Sequence, residues 1–257
     1  PMQPELLADE GAILQLLCDS KPQSRPGKRL AYHAITGGFI LGEIIKRVTG
    51  APIRELLTRV VRDPLGFTSF QYGVAPSDVA RVAEDAWTGP DPPRALAGLV
   101  QKGFGVTMPE AVDLANHPSF LTGVVPSGNV VATADEACRF MEMLRNEGEL
   151  DGVRVFAART VRRAVGETSY LEFDDILKLP IRYGLGFMLG DRFLSFYGPN
   201  TQQAFGHLGF TRTLIWADPP RELSVALMSN GKPFIAPDLA LWFNLTRTIS
   251  GRVPRLR

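Results

Sequence analysis

P-G-K-R-L-A-Y-H-A-I-T-G-G-F-I-L-G-E-I-I-K-R-V-T-G, residues Pro26 to Gly50, decides how this chain is read. The front half is a Pro26-Gly27 turn that delivers Tyr32. The back half carries Ile40, Leu41, Ile44, Ile45 and Val48, one face of a 3.6-residue period, and so reads as an amphipathic helix. Gly37, Gly38 and Gly42 are costly inside a helix unless something comes close to its backbone. Thr49-Gly50 supplies a C-terminal glycine stop, and Pro52 opens the next helix. A polar aromatic is thereby placed at the mouth of a close-packed helix.

Outward from that stretch, Ile53, Leu56, Leu57, Val60 and Val61 share one face of a second helix that ends at Asp63-Pro64, because proline disfavours helix at the residue before it. Upstream, Ile13, Leu14, Leu16 and Leu17 suggest a short helix, followed by a polar loop from Asp19 to Arg25. Downstream, T-G-V-V-P-S-G-N-V-V-A-T-A-D-E-A-C-R-F-M-E-M-L runs from Thr122 to Leu144. Within it Thr133 and Glu136 have capping-box spacing, and Ala137, Phe140, Met141 and Leu144 form the stripe of a helix that Gly148 ends. Asp151-Gly152 turns the chain into Val153 to Phe156, and Arg159 to Val165 reads as one more short helix.

From Tyr183 the period becomes strand-like. Strands are expected over Tyr183–Leu189, Thr211–Ala217 and Glu222–Ser229, the last two joined by a tight turn at Asp218-Pro219-Pro220-Arg221. Leu239, Trp242, Phe243, Thr246 and Ile249 give a final amphipathic helix that should pack across the sheet.

Taken together these stretches resemble the serine β-lactamase and penicillin-binding superfamily, nearest to class C β-lactamases and family VIII esterases. The family patterns are P-G-x-x-x-x-Y-x-N with a helix L-L-G-x-I-I-E-x-V-T-G, then P-L-G-M, G-G-L-x-S-T-A-x-D-L-A-R-F and Y-G-L-G-W. The resemblance covers roughly two-thirds of the chain in order. It implies an α+β, β-lactamase/transpeptidase-like fold: a mostly helical region over 1–182, then an antiparallel sheet with a closing helix over 183–257, together forming one domain. Residues 73–120, rich in proline and glycine, fall where the family varies and roofs its site; a lid and an ordinary surface excursion both fit.

Superfamily chemistry is acyl transfer to a serine, which needs a nucleophile, a base and donors aimed at the developing oxyanion. The resemblance assigns Tyr32 to the phenol that relays the nucleophile's proton. It assigns His207, in Phe205-Gly206-His207-Leu208-Gly209-Phe210, to the histidine of the His-x-Gly strand motif. Gly209 would let substrate lie against the strand edge, and the Phe210 N–H would form half of the oxyanion hole. Where the family has asparagine two residues after the tyrosine, this chain has Ala34. His33 reads as solvent-facing and His117 as structural.

The family's serine-x-x-lysine motif should lie upstream of Tyr32 on a central helix, and residues 1–31 contain none. The only such spacing in the chain, Ser229 to Lys232, closes a strand and runs into Gly231-Lys232-Pro233. A phenol ionises near pH ~10, so doing so at pH 7 costs roughly 4 kcal/mol unless an ammonium offsets it. The sequence therefore leads to the expectation of an N-terminally truncated, hydrolase-related chain with impaired activity. The alternative is a non-catalytic, ligand-binding descendant of the family.

Composition narrows the partners. A net charge of +1 supplies no basic field for nucleic acid. No apolar run reaches the ~20 residues of a membrane span. Cys18 and Cys138 read as two reduced thiols, and the three histidines have no metal-ligand spacing, so no cofactor is expected. The expected partner is a small-molecule or peptide-like acyl substrate. Missing upstream strands would leave a sheet edge to be covered by an upstream segment or by a second copy. The first residue is Pro1, and a cytoplasmic location is expected if it lies near the natural start.

Overall fold

The computed structural model describes residues 6, 9–22, 24–33, 35–90, 106–193, 195–210, 212–233 and 239–256. The backbone divides into two compact units, Pro1–Ala132 with Asp175–Leu177, and Thr133–Asp174 with Lys178–Arg257.

The first unit is mainly helical. Helix α1 (Glu10–Asp19) starts at Asp9, whose carboxylate accepts the Ala12 N–H at 2.9 Å. Helix α2 (Thr36–Thr49) ends at Gly50, left-handed at φ 73°, with the Gly50 N–H on the Lys46 carbonyl at 2.8 Å. Helix α3 (Ile53–Leu57) runs into a wider turn over Thr58–Arg62, where Asp63 N–H reaches back to the Thr58 carbonyl. Helices α4 (Met108–Asn116) and α5 (Pro118–Thr122) follow. Ile13, Phe39 and Val125 are buried together, with Leu14, Leu17, Ile35, Leu114 and Phe120 packed around them.

The face that α2 buries differs from the one its branched residues suggest. Phe39 and Gly42 are buried, while Leu41 is 61% and Val48 79% exposed, and Ile40 and Ile44 also lie open. The glycines supply the reason. A Cβ on Gly38 would stand 2.5 Å from Ser127 Oγ and 2.7 Å from its backbone nitrogen, and one on Gly42 3.3 Å from Pro126. Close backbone packing against Pro126-Ser127 chooses the inward face, as the cost of three glycines foretold, and turns the isoleucines outward.

That loop is rigidly tied. Asn129, 4% exposed, donates to the carbonyls of Phe120 and Gly123 at 2.7 and 2.9 Å and accepts the Val125 N–H at 2.8 Å. Arg54 adds bonds to the carbonyls of Thr122 and Gly123 at 2.6 and 2.7 Å. Strand β1 (Gln71–Tyr72) pairs antiparallel with β2 (Val130–Val131). Of the proline- and glycine-rich stretch 73–120, residues 91–105 lie outside the described residues.

The second unit is a layered sheet. Helix α6 (Ala134–Arg145) opens with the anticipated Thr133–Glu136 capping box and buries Ala137, Met141 and Leu144. Strands β3 (Glu149–Leu150) and β4 (Val153–Arg154) form a hairpin about Asp151-Gly152, both at positive φ, followed by α7 (Ala158–Ala164). The main sheet contains β5 (Ser169–Phe173), β6 (Pro180–Tyr183), β7 (Met188–Leu189), β8 (Phe205–Leu208), β9 (Leu214–Asp218) and β10 (Leu223–Leu227). Each strand pairs antiparallel with the next, so the sheet is a meander. Among the described residues β10 ladders with β9 alone.

Two strand readings are revised. Tyr183–Leu189 is a corner between β6 and β7, with Gly184 N–H on the Phe187 carbonyl at 2.9 Å and Gly186 at φ 83°. Strand β5 arises where no strand was expected, because only Ser169 of its residues is buried and no alternation of apolar and polar residues marks it. The expected start of β9 at Thr211 lies outside the described residues.

Helix α8 (Leu239–Arg252) packs on one face of the sheet, as expected. Trp242 and Ile249 lie against Tyr197, Leu214 and Trp216, although Phe243 is 46% exposed. The expected inward placement of Leu239 lies outside the described side chains. Arg221 clamps the end of α8, donating to the carbonyls of Ser250 and Val253 and to the Asp218 carboxylate at 3.0, 3.1 and 2.7 Å. On the other face α6 is pinned to β10, since Ser224 Oγ donates to Glu142 at 2.8 Å and Cys138 Sγ to the Ser224 carbonyl at 3.3 Å.

Two outcomes are expected. Gly38→Ala should lower unfolding stability by about 1–2 kcal/mol, because overlap with a backbone nitrogen exceeds the ~1 kcal/mol helix-propensity gain; Gly42→Ala should be near neutral by urea unfolding. Glu142 is held at about 2 by Arg145, against the opposing effect of burial and with help from Ser224. Its folded value lies below the ordinary 4.5, so its stabilisation is whole above that pH and is lost as pH falls toward 2. Urea titrations should show the gap between wild type and Glu142→Gln closing across that window.

Candidate active site

Tyr32 belongs to the first unit and His207, Gly209 and Phe210 to the second, and each group is built by its own unit. Tyr32 is half-buried on the irregular segment entering α2. That segment is tied at both ends: the Leu30 carbonyl accepts the Asp175 N–H at 2.9 Å, and the Ile35 carbonyl accepts the Ser127 hydroxyl at 3.2 Å. His33 is exposed, with Nδ1 3.1 Å from Thr36 Oγ1. His117 Nδ1 accepts the Ser119 N–H and caps α5, a structural role. Ala34, the departure from the tyrosine motif, lies outside the described residues.

His207 sits on β8, opposite Ile215 of β9, which in turn faces Ala226 of β10. Gly206 and Leu208 point to the α8 side, where Trp216 and Leu214 face them across the ladder. The period of two therefore puts His207 on the opposite face, the one α6 covers at Ser224. Gly206 is obligatory: a Cβ there would fall 2.1 Å from the Ile215 carbonyl oxygen.

The tautomer of His207 follows from its partner. Nδ1 lies 2.7 Å from the Leu208 carbonyl oxygen, which can only accept, so Nδ1 carries the proton and Nε2 the lone pair. Burial lowers the imidazole pKa from its ordinary 6.5, and the Leu208 bond opposes that shift. The ring is thus a neutral base or acceptor at neutral pH.

After β8 the chain turns back at Gly209. The Gly209 N–H is spent on the Thr213 carbonyl at 2.8 Å, and a Cβ on Gly209 would stand 3.1 Å from Thr213 Cβ. The Phe210 N–H donates to no acceptor among the described residues. The Phe210 N–H follows His207 closely along the chain, and a backbone donor of this kind can polarise a carbonyl.

Sequence reasoning met Lys232 only in the Ser229–Lys232 spacing and gave it no site role. It lies in the extended pair Gly231–Lys232 and is 6% exposed; Nζ donates to the Ser229 carbonyl at 2.7 Å and reaches Thr213 Oγ1 at 3.5 Å. The Ser229 hydroxyl accepts the Gly231 N–H at 3.2 Å. Ser229 to Lys232 is therefore a turn and strand rather than a helix, as its sequence implied. Both cysteines carry free thiols, Cys18 exposed and Cys138 half-buried. Among the described residues no group of three or more metal-ligating side chains gathers, and no helix is long and apolar enough to cross a membrane.

With this geometry in place, comparison with known proteins identifies the chain. The Beta-lactamase family model matches residues 1–247. The chain belongs to the beta-lactamase family. Its relatives include the Mycobacterium tuberculosis protein named esterase/beta-lactamase LipL, 28% identical over 238 residues that make up 87% of this chain and 53% of that protein. Among solved structures, a penicillin-binding protein homologue from Caulobacter crescentus is similar at 29% identity and a TM-score of 0.74, covering 91% of this chain and 61% of that one. A family VIII carboxylesterase shares the fold at 24% identity and a TM-score of 0.79, covering 96% and 66%. The chain spans about half the length of the curated relatives it matches. The beta-lactamase/transpeptidase-like α+β fold is thus as the sequence implied.

For this family member, nitrogen-detected NMR should show His207 protonated on Nδ1 at pH 7 and titrating below 6.5. Because the folded value is depressed, the stability linked to His207 is complete above 6.5 and falls as pH drops below it.

Proposed function

We propose that the protein is a hydrolase of the serine acyl-transfer type, acting on an ester or amide. In this reading Tyr32 relays the nucleophile's proton, and His207 accepts or orients through Nε2. Gly209 leaves room for substrate along the strand edge, and the Phe210 N–H binds the developing oxyanion. The reading is carried by the Phe205–Phe210 segment, where a neutral histidine of set tautomer is followed along the chain by a backbone donor that has no acceptor among the described residues. Membership of the beta-lactamase family and likeness to a protein named esterase/beta-lactamase support the same chemistry. An acyl compound of small-molecule or peptide-like size fits such an edge.

A second reading has its own observation. The one serine-x-x-lysine spacing places Lys232 on the Ser229 carbonyl, on a strand and not at a helix start. Residues 1–257 would then hold an acyl compound with impaired turnover or none.

One experiment separates the two. The protein is incubated with p-nitrophenyl butyrate and with benzylpenicillin, and product release, intact mass and calorimetric binding are followed. Turnover that falls about 10²-fold in His207→Ala, the scale of a lost acid–base or oxyanion contribution, supports the hydrolase. Saturable binding that His207→Ala weakens, without turnover or adduct, supports the second reading. An acyl adduct on a serine of this chain overturns the second reading, and neither binding nor turnover overturns both.

A further inference from the structure

We propose that Lys232 is a positioning residue for the oxyanion-binding turn, an inference that rests on the acyl-transfer reading of Phe205–Phe210. A buried ammonium is expensive, and a lysine kept 94% out of solvent must recover that cost through its contacts. The contacts of Lys232 are specific. Nζ holds the Ser229 carbonyl at 2.7 Å, which anchors it to the chain leaving β10, and extends 3.5 Å to the hydroxyl of Thr213.

Thr213 is the residue on which the turn closes. Its carbonyl takes the Gly209 N–H at 2.8 Å, and its Cβ and Cγ2 would meet a Gly209 Cβ at 3.1 and 3.3 Å. Lys232 thus fixes Thr213, Thr213 fixes Gly209, and the Phe210 N–H is the next donor along the chain. An apolar residue of equal length could fill the space but could not restrain the Thr213 hydroxyl.

The test compares Lys232→Met, which keeps length and volume, and Thr213→Val, which removes only the hydroxyl, with wild type. Hydrolysis of p-nitrophenyl butyrate should lose about tenfold or more in kcat in Lys232→Met with KM within about twofold, and less in Thr213→Val, since only transition-state contacts are weakened. Amide hydrogen exchange should speed up about tenfold at Gly209 in both variants and stay unchanged at Trp216. Unchanged kcat and unchanged Gly209 exchange, or a loss carried wholly by KM, would overturn the proposal. Should wild type show no turnover, the hydrolase reading fails by itself; Gly209 exchange then decides, selective acceleration supporting the role of Lys232 and no change removing it.

Discussion

The second unit depends on a contact that leaves no room for a side chain. Gly206 lies under the β9 backbone so closely that a Cβ would meet the Ile215 carbonyl oxygen at 2.1 Å and Trp216 at 2.6 Å. That approach lets Trp216 sink to 1% exposure and stack on Tyr197 at 5.8 Å, beneath α8. It also sets the register in which His207 pairs with Ile215, on the opposite face. Core packing and site geometry are therefore two faces of one ladder. A slip of one residue would send His207 into the core and Gly206 toward the site.

Around that ladder, charged groups act mainly as clamps. Arg221 gathers the last turn of α8, and Glu142 ties α6 to the sheet edge through Ser224. Arg182 links β6 to the segment before β5 through Glu167 and to the loop after β7 through the Gly190 carbonyl. These are largely arginine pairs, in which a planar fork can satisfy several acceptors at once. Lys232 differs in kind: its contacts include the Ser229 carbonyl and the Thr213 hydroxyl, beside the turn at Gly209.

Much of this was legible in the sequence because it is local. The Thr133–Glu136 capping box, the Gly50 stop and the Asp151-Gly152 turn each depend on residues within a few positions, and each forms as read. The glycines of α2 correctly announced a close approach, without saying from where. The partner is Ser127, roughly ninety residues on, and no helical period could name it. The hydrophobic pattern of α2 misled for the same reason. Backbone contact at Gly38 and Gly42 outweighed side-chain burial of Leu41 and Val48.

The order of motifs along the chain was enough to place it in the beta-lactamase family, and the same motifs nominate Tyr32, His207, Gly209 and Phe210 as the proposed site. Those signals survive in sequence because each needs a particular residue type in a short stretch. The protonated nitrogen of His207, the commitment of the Gly209 N–H to Thr213 and the burial of Lys232 were decided by folding. Each depends on which strand lies beside which, a pairing between distant segments that linear spacing does not encode.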